Sequence, residues 1–397
     1  MRDRPNVLIV TGFDLDDPAG GINTMIWALI QNLAVSCRVV VLEVSWDALK
    51  PIRDEVGGIV RYRMRLQTPY ASGRALRALM GWTIRFPANL LALTRVLKDE
   101  SIDAVHLHYG SPYQYYFPLV RKLLGIPYAL TLHRGDIINF VKQRWPDRYL
   151  MKFAISKADR VLAVSSWLAE EAKRAVGSLP RLQIILNGVD VEELDALYDP
   201  TFEDSAAFPV PREFCLMVSN VTHYKAQDVL IRAWAEVMNR HPGLSLLVVG
   251  APRELWDECM RLIAETGCGD SVRLLGAQPR STAINLMYRA KAVIMPSRSE
   301  GLPYVLLEAG AIGAPVVCSD IGPFTEVVEN GKTALVTPVE DAGAIGKAVD
   351  RIISDPERAR AMGQALRTRI RSDFSAANMA RQYLSTYESV IAERRAD

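Results

Sequence analysis

The chain has 397 residues, of which 49% are hydrophobic and 23% charged, and its formal net charge is +2. The length predicts two domains, and the composition is typical of a soluble globular protein. The five cysteines are scattered and never spaced Cys-x-x-Cys, which excludes a disulfide framework or structural zinc and favours a reducing cytosol. No stretch approaches the roughly 18 uncharged apolar residues of a membrane-spanning helix, and no signal peptide is expected.

Strands and helices are predicted to alternate through the first half of the chain. The apolar run 7–12 predicts the first strand, and the turn at Gly20-Gly21 precedes a helical pattern over 22–34. Further strands are predicted at 38–44, 104–108, 128–132, 161–164 and 183–186. Apolar strands separated by helices indicate a parallel sheet covered on both faces.

The alternation restarts after a linker predicted at 198–211. Strands are predicted at 214–218, 244–249, 271–275, 292–295 and 315–318, and the tail from 341 is mostly helical. The predicted fold is therefore α/β, with two doubly wound, Rossmann-like domains facing a cleft. We expect domains at 1–197 and 198–374, with a C-terminal helix at about 375–397 that crosses back to the first domain.

The segment from 61 to 98 carries eight basic residues and no acidic residue, with apolar side chains among them. Such a helix can lie on an anionic membrane surface, and we expect Arg74, Arg77, Trp82 and Arg85 on that side. A solvated face that packs on the sheet is the alternative. Nucleic acid is not expected as the partner, because stacking aromatic platforms and a recognised fold are lacking.

Two carboxylates, Glu300 and Glu308, lie in a pattern that predicts strand, tight loop and helix. Glu300 falls on the loop. Glu308 falls inside the helix among apolar residues, where a carboxylate needs a partner. Hydroxyl groups of a polyhydroxylated ligand could donate to both carboxylates, and the helix N-terminus favours a phosphate.

Other candidate residues follow predicted strands. Gly20 and Gly21 could let a phosphate or a sugar approach the backbone, although a plain turn is equally compatible. Lys225 could offer its charge to a diphosphate, with Asn220 as a neutral donor, and His133 could hydrogen-bond a substrate or act as a base. The alternatives are a solvated lysine and a structural histidine. No metal site is predicted, because His106 and His108 lack a third ligand.

Taken together and in this order, these residues resemble the retaining glycosyltransferases of family 4, which have the GT-B fold. The resemblance covers essentially the whole chain. Its most specific part is the family's E-x7-E motif from Glu300 to Glu308, which continues to Glu326. Further matches are Lys225, the sequence Asn187-Gly188-Val189-Asp190, the Gly20-Gly21 pair and His133.

The resemblance implies that the second domain binds a nucleotide-sugar and the first binds the acceptor. It implies that Glu308 holds the ribose, that Glu300, Gly301 and Leu302 lie near the donor sugar, and that Lys225 neutralises the diphosphate. Gly20, Gly21 and His133 would contact phosphate and sugar from the first domain. The chain departs from the family at Asn220, where an arginine is usual; Arg298 and Arg134 are alternative cations.

The expected function is therefore transfer of a sugar from a UDP- or GDP-sugar, with retention and without a metal or other cofactor. The expected acceptor is a saccharide or lipid-linked saccharide of surface polysaccharide or lipopolysaccharide synthesis. The expected location is the cytoplasm, on the inner membrane face. A nucleotide-sugar epimerase or hydrolase of the same architecture, and a non-catalytic nucleotide-sugar-binding protein, are the alternatives.

Overall fold

The computed structural model describes residues 4–12, 16, 20–45, 47, 48, 50–69 and 75–396. It divides the chain into two compact units. The first unit comprises 1–187 and the last helix from Ala377, and the second comprises Gly188–Ala376. The boundary thus lies earlier than the position 197/198 expected from the sequence.

Each unit contains one sheet. The fourteen strands of the described residues are β1 Asn6–Thr11, β2 Arg38–Val44, β3 Ile52–Val56, β4 Ile59–Met64, β5 Ala104–His108, β6 Tyr128–Leu132, β7 Arg160–Ala163, β8 Leu182–Ile184, β9 Phe214–Val218, β10 Ser245–Val249, β11 Val272–Gly276, β12 Val293–Met295, β13 Val316–Ser319 and β14 Leu335–Thr337.

Helices follow most strands and cover the sheets. Those of the described residues are α1 Gly21–Leu33, α2 Ala75–Asp99, α3 Tyr116–Leu124, α4 Arg134–Lys142, α5 Trp145–Ser156, α6 Ser166–Val176, α7 Val191–Ala196, α8 Phe202–Ser205, α9 Gln227–Arg240, α10 Trp256–Glu265, α11 Arg280–Arg289, α12 Tyr304–Ile312, α13 Gly322–Thr325, α14 Ala342–Ser354, α15 Pro356–Asp373 and α16 Ala376–Ala396. None of them is long and apolar enough to cross a membrane.

Both sheets are doubly wound. The first has strand order β3-β4-β2-β1-β5-β6-β7-β8 and is parallel except for the antiparallel pair β3–β4. The second has the order β11-β10-β9-β12-β13-β14 and is parallel throughout. The strand order reverses between β1 and β5 in the first sheet and between β9 and β12 in the second. In open α/β sheets, ligands bind beside the carboxyl ends of the strands at such a reversal.

The α/β class and the two Rossmann-like sheets are confirmed. Three strands were missed by the sequence reasoning, namely β3, β4 and β14. β3 consists of Ile-Arg-Asp-Glu-Val at the edge of the sheet, where its side chains are exposed or half-buried and follow no apolar pattern. β14 is only three residues long.

The basic segment 61–98 is not one helix, contrary to the sequence interpretation. Arg61 lies in β4 with a buried side chain, and its guanidinium donates to Asp54 at 2.8 Å and to Asp16 at 2.8 Å. Glu43 lies 3.3 Å from the same guanidinium. The acidic partners come from outside the segment, so the absence of acids within it does not indicate an anionic ligand for Arg61.

The C-terminal helix α16 packs on the first sheet within the first unit. The hydroxyl of Tyr387 lies 2.6 Å from Nδ1 of His106, and the hydroxyl of Tyr383 lies 3.3 Å from that of Thr131. All four side chains are buried. The aromatic residues of α16 thus complete the core beside β5 and β6.

The first residues of the second unit form backbone hydrogen bonds with its last residues. The N–H of Val189 donates to the carbonyl of Phe374, and the N–H of Ala376 donates to that of Val189. Farther along, Asp195 of α7 forms ion pairs with Arg367 and Arg371 of α15. These contacts explain why the chain from Gly188 onward belongs to the second unit.

Candidate active site

In the second unit, Lys225 and Glu300 meet where the strand order reverses. Lys225 ends a 3₁₀ turn after β9, and Glu300 lies on the loop after the neighbouring strand β12. The ammonium of Lys225 donates to Oε1 of Glu300 at 2.6 Å, and the hydroxyl of Ser297 donates to the same oxygen at 2.8 Å. Both side chains of the ion pair are largely buried, with 17% and 8% of their surfaces exposed.

A second cation holds the same two loops together. The guanidinium of Arg298 donates to Asp228 at 2.8 and 3.0 Å, and it also pairs with Glu340. The N–H of Arg298 donates to the carbonyl of Tyr224 at 2.9 Å. Burial alone would raise the pKa of Asp228, but hydrogen bonds from Arg298 and Arg232 outweigh it and lower that pKa. Arg298 is thus already bound to two carboxylates.

Asn220, at the position of the family's usual arginine, has a structural contact. Its Oδ1 accepts from the N–H of Ala251 at 3.1 Å, and its carbonyl accepts from the side chain of Gln227 at 2.9 Å. The bond from Ala251 holds the loop after β9 against the loop after β10. Asn220 is nevertheless exposed at the carboxyl edge of the sheet.

Glu308 is buried in α12 and does have a partner. Nε of Arg280, at the start of α11, donates to Glu308 Oε1 at 3.1 Å, and Nη1 of the same guanidinium donates to Glu193 at 2.5 Å. Burial raises the pKa of Glu308, and Arg280 offsets part of that rise. Gly301 and Leu302 form the buried turn that leads into α12.

In the first unit, the predicted glycine pair precedes α1. Gly20 is exposed and has a φ of 110°, a conformation that favours glycine. Gly21 is the first residue of α1, and no side chain caps this helix end. Both glycines are exposed, and the expected contact with phosphate or sugar stays a prediction.

His133 lies at the carboxyl end of β6, beside two other buried histidines. Its Nε2 is 3.2 Å from Nδ1 of His108, and the ring centroid of His108 lies 4.2 Å from that of His106, with the two rings tilted by 47°. Nε2 of His106 is 2.8 Å from the hydroxyl of Thr131. The three imidazoles therefore form a row from the sheet interior to its carboxyl edge, and His133 occupies the edge.

These histidines are uncharged at neutral pH. Burial lowers the pKa of His106 and of His133 to about 3, and it lowers the pKa of His108 as well. Burial also raises the pKa of Asp136, to about 7. Hydrogen bonds from the N–H groups of His133 and Gly110 lower that pKa, but burial has the larger effect. A neutral His133 can donate to or accept from a ligand hydroxyl, but its lowered pKa makes it a weak base.

Sequence reasoning found Lys225, Glu300, Glu308 and His133, and the structure brings Lys225 and Glu300 into contact. It missed Arg280, although the argument that Glu308 needs a partner pointed to some cation. It also missed Asp228, whose acidic side chain in the first turn of α9 is buried. Among the described residues, no group of three or more histidine, cysteine or acidic side chains is placed to hold a metal.

The buried Lys225–Glu300 pair gives a stability prediction. Lys225→Met leaves the carboxylate of Glu300 buried without its cation, and we expect the free energy of unfolding to fall by about 3 kcal/mol. Adding Glu300→Gln removes the unpaired charge and should recover part of this loss. Urea unfolding at neutral pH measures both.

Lys291→Met is the matched control for this prediction. Lys291 pairs with Glu213 at 2.9 Å, but both side chains are about half exposed. We expect a loss below about 0.5 kcal/mol there, because solvent screens an exposed pair. Equal falls in the free energy of unfolding for Lys225→Met and Lys291→Met would contradict the claim that burial makes the Lys225–Glu300 pair important for stability.

The buried histidines predict that acid destabilises the first unit. An unfolded histidine has a pKa of about 6.5. Between that pH and about 3, the unfolded chain binds protons that folded His106 and His133 do not bind, so stability falls as the pH falls. Each such histidine contributes about 1.4 kcal/mol per pH unit. Asp136 contributes with the opposite sign, since its folded pKa is raised.

His106→Asn tests this dependence. The amide retains polar atoms for Thr131 and Tyr387 but cannot take up a proton. We expect the slope of unfolding free energy against pH, between pH 6 and 4, to fall by about 1.4 kcal/mol per unit. An unchanged slope would show that His106 is not the titrating group.

Comparison with known proteins identifies the family of this chain. A family model described as Glycosyltransferase Family 4 matches residues 19–193, and one described as Glycosyl transferases group 1 matches 199–369. A D-inositol 3-phosphate glycosyltransferase of Nocardia farcinica is 28% identical over 429 aligned positions, covering 99% of this chain and 91% of that protein.

Two solved structures have the same fold. Sucrose-phosphate synthase of Thermosynechococcus elongatus matches with a TM-score of 0.76 at 22% identity, covering 98% of this chain and all of that one. Anabaena HepE, in complex with UDP and glucose, matches with a TM-score of 0.74 at 18% identity, covering 97% and 100% of the two chains. The chain belongs to glycosyltransferase family 4 and is a glycosyltransferase with the GT-B fold.

Proposed function

We propose that this glycosyltransferase moves a sugar from a UDP- or GDP-sugar to a saccharide or lipid-linked acceptor, with retention of the anomeric configuration. The observation that carries the proposal is the cluster at the strand reversal of the second sheet. There Lys225 meets Glu300 at 2.6 Å on the loops after β9 and β12, and buried Glu308 follows on α12. A cation and carboxylates at this edge suit the diphosphate and hydroxyl groups of a nucleotide-sugar.

Each proposed donor contact has a chemical reason. The carboxylate of Glu308 accepts from the ribose hydroxyls, and Glu300, Gly301 and Leu302 lie beside the donor sugar. Glu300 holds the ammonium of Lys225 at this edge of the sheet. Asn220 adds neutral amide donors there. In the first unit, the exposed backbone at Gly20 and Gly21 suits a phosphate, and the neutral His133 suits a sugar hydroxyl.

The transfer step needs no covalent intermediate. The bond between the anomeric carbon and the diphosphate oxygen breaks, and the acceptor oxygen forms a bond to the same face of that carbon. The acceptor's hydroxyl proton passes to a diphosphate oxygen. Lys225 and the helix N-termini stabilise the negative charge that develops on the leaving diphosphate. We propose that these groups take the place of a metal ion.

The donor proposal is supported by one structural neighbour, since HepE is described in complex with UDP and glucose. The named relatives differ in their acceptors: one acts on D-inositol 3-phosphate and another makes sucrose phosphate. We propose a saccharide or lipid-linked saccharide of surface polysaccharide or lipopolysaccharide assembly as the acceptor here. The proposed location is the cytoplasm, at the inner membrane face.

A face of α2 supports the membrane part of the proposal. Met80, Ile84 and Leu91 are spaced four and seven residues apart, so they share one side of the helix, and 59%, 76% and 51% of their surfaces are exposed. Arg85 and Arg95 are exposed on the same helix. Apolar side chains beside cations suit the surface of an anionic bilayer.

The residues expected on this side differ from those observed. Trp82 is half-buried: its Nε1 donates to the hydroxyl of Tyr115 at 2.6 Å, and its ring centroid lies 5.0 Å from that of Phe86. Arg74 lies outside the described residues, and only the backbone of Arg77 is described. We therefore propose that the exposed aliphatic residues of α2, rather than Trp82, form the apolar part of the membrane contact.

The donor proposal predicts a specific loss on changing Glu308. Glu308→Gln removes a charged acceptor for the ribose hydroxyls, and we expect donor affinity to fall by roughly tenfold or more. A thermal-shift screen with UDP-, GDP- and ADP-sugars identifies the donor, and titration with that donor measures the loss. Product analysis by NMR determines whether the anomeric configuration is retained.

Glu329→Gln is the control, because Glu329 pairs with Lys332 on the surface. It should bind donor like the unmodified protein. Unchanged donor affinity in Glu308→Gln would refute the assigned site. Conversion of the donor with no acceptor present would favour the epimerase or hydrolase alternative, and donor binding without any turnover would favour a binding protein.

The membrane part predicts salt-sensitive binding to lipid. Vesicles containing phosphatidylglycerol should sediment the protein at low salt and release it at high salt. Ile84→Glu should weaken this binding by roughly tenfold, since one exposed aliphatic side chain is lost from the contact. Val35→Glu, at an equally exposed position outside α2, should not. Absence of sedimentation at low salt would reject the membrane surface as a partner.

A further inference from the structure

Arg280 occupies a position between two carboxylates of the second unit. Its Nε donates to Glu308 on α12, and its Nη1 donates to Glu193 on α7. The side chain of Arg280 is 23% exposed, that of Glu308 9% and that of Glu193 44%. The guanidinium thus donates to Glu193 on its more exposed side and to Glu308 on its buried side.

Two polar atoms beside this ion pair have no partner among the described residues. Nη2 of Arg280 and the hydroxyl of Tyr304 are both buried, and neither forms a hydrogen bond to that part of the chain. Tyr304 is only 5% exposed and lies one helical turn before Glu308 on α12. Buried donors are rarely left unpaired, because each costs free energy unless a ligand or water completes it. Their position beside Glu308 indicates that the missing partner is the molecule that Glu308 binds.

We propose that Arg280 is a positioning residue of the donor site: it holds the Glu308 carboxylate in place and ionised for the ribose of the donor, and it leaves Nη2 to donate to the same nucleoside. This inference rests on the proposed donor role of Glu308. Arginine suits the task because its planar fork can hold two carboxylates at once and keep a further N–H free.

The charge on Glu308 depends on the groups around it. Burial raises its pKa, Arg280 lowers it, and Glu193 raises it again. From its own helix it interacts with Tyr304, whose pKa is raised by burial and by the charges of Glu308, Glu193 and Asp190. On α15, Arg367 pairs with Asp195. β13 carries no charged side chain.

The sign of the pH dependence follows. Without Arg280, nothing offsets the effect of burial, so the pKa of Glu308 rises further and the carboxyl group is protonated at a higher pH. A protonated Glu308 accepts more weakly from the ribose hydroxyls. Loss of Arg280 should therefore weaken recognition of the ribose most at low pH and least at high pH.

The test compares UDP with 2′-deoxy-UDP, and GDP with 2′-deoxy-GDP, by calorimetric titration between pH 5.5 and 8.5. The unmodified protein should prefer the ribonucleotide by about tenfold, and Glu308→Gln should abolish the preference. Arg280→Met should lose the preference at low pH and recover part of it at high pH. Arg280→Lys should restore a share of it at every pH.

Arg289→Met is the matched control. Arg289 lies on the same helix and is similarly buried, but it binds the carbonyl of Asp199 and pairs with Glu203. It should keep the full preference, which separates loss of recognition from general destabilisation. Circular dichroism melting reports the folding of each variant.

Two failures are distinguishable. If the unmodified protein binds none of these diphosphates, the proposed function fails and this inference falls with it. If the unmodified protein prefers the ribonucleotide and Arg280→Met retains that preference at every pH, the proposed function stands and the role of Arg280 is refuted. A preference lost equally at all pH values refutes the part concerning ionisation.

Discussion

A carboxylate remains charged inside a protein only if a cation replaces the water that burial removes, and the second unit buries three carboxylates near one edge of its sheet. Each has an arginine or lysine within about 3 Å, supplied from another element. The pairs are Glu300 with Lys225, Glu308 with Arg280, and Asp228 with Arg298. Since breaking such a pair is costly, these pairs fix the loops after β9 and β12 and the start of α11.

The same arrangement suits the proposed anionic ligand at this edge. Lys225 and Arg280 are held in place by protein carboxylates, so binding in the proposed donor site would cost little side-chain freedom. Arg298, in contrast, forms ion pairs with Asp228 and Glu340, so its charge stabilises the loops of the protein. The arginine missing at Asn220 is therefore not replaced by Arg298 in this arrangement.

Much of the fold was predictable from the sequence because the strands are continuous apolar runs separated by helices. The strands at 38–44, 104–108, 128–132 and 214–218 were predicted with the bounds observed. β3 was not predictable, because an edge strand needs no buried face. The boundary near Gly188 depends on backbone pairing between Val189 and Phe374, which are far apart in sequence and leave no local signal.

The candidate site shows the same division. Local motifs located Lys225, Glu300 and Glu308, whereas their partners are set by tertiary packing. The need of Glu308 for a cation could be argued from its apolar neighbours, but Arg280 lies 28 positions away on a different helix. The amphipathic spacing around Trp82 could not show that its indole N–H donates to the hydroxyl of Tyr115, because the two residues are 33 positions apart in sequence. Local patterns thus identified the residues that need a partner, and the fold supplied the partner.

The polar strand β3 also has a consequence for the protein in concentrated solution. It forms one edge of the first sheet and exposes a row of backbone groups that could pair with a strand from another molecule. Its central residues, Arg53, Asp54 and Glu55, are charged, and β8 at the opposite edge is only three residues long. The charged residues of β3 and the short length of β8 both oppose pairing with a strand of another molecule. We therefore expect the first sheet not to extend into a neighbouring molecule in concentrated solution.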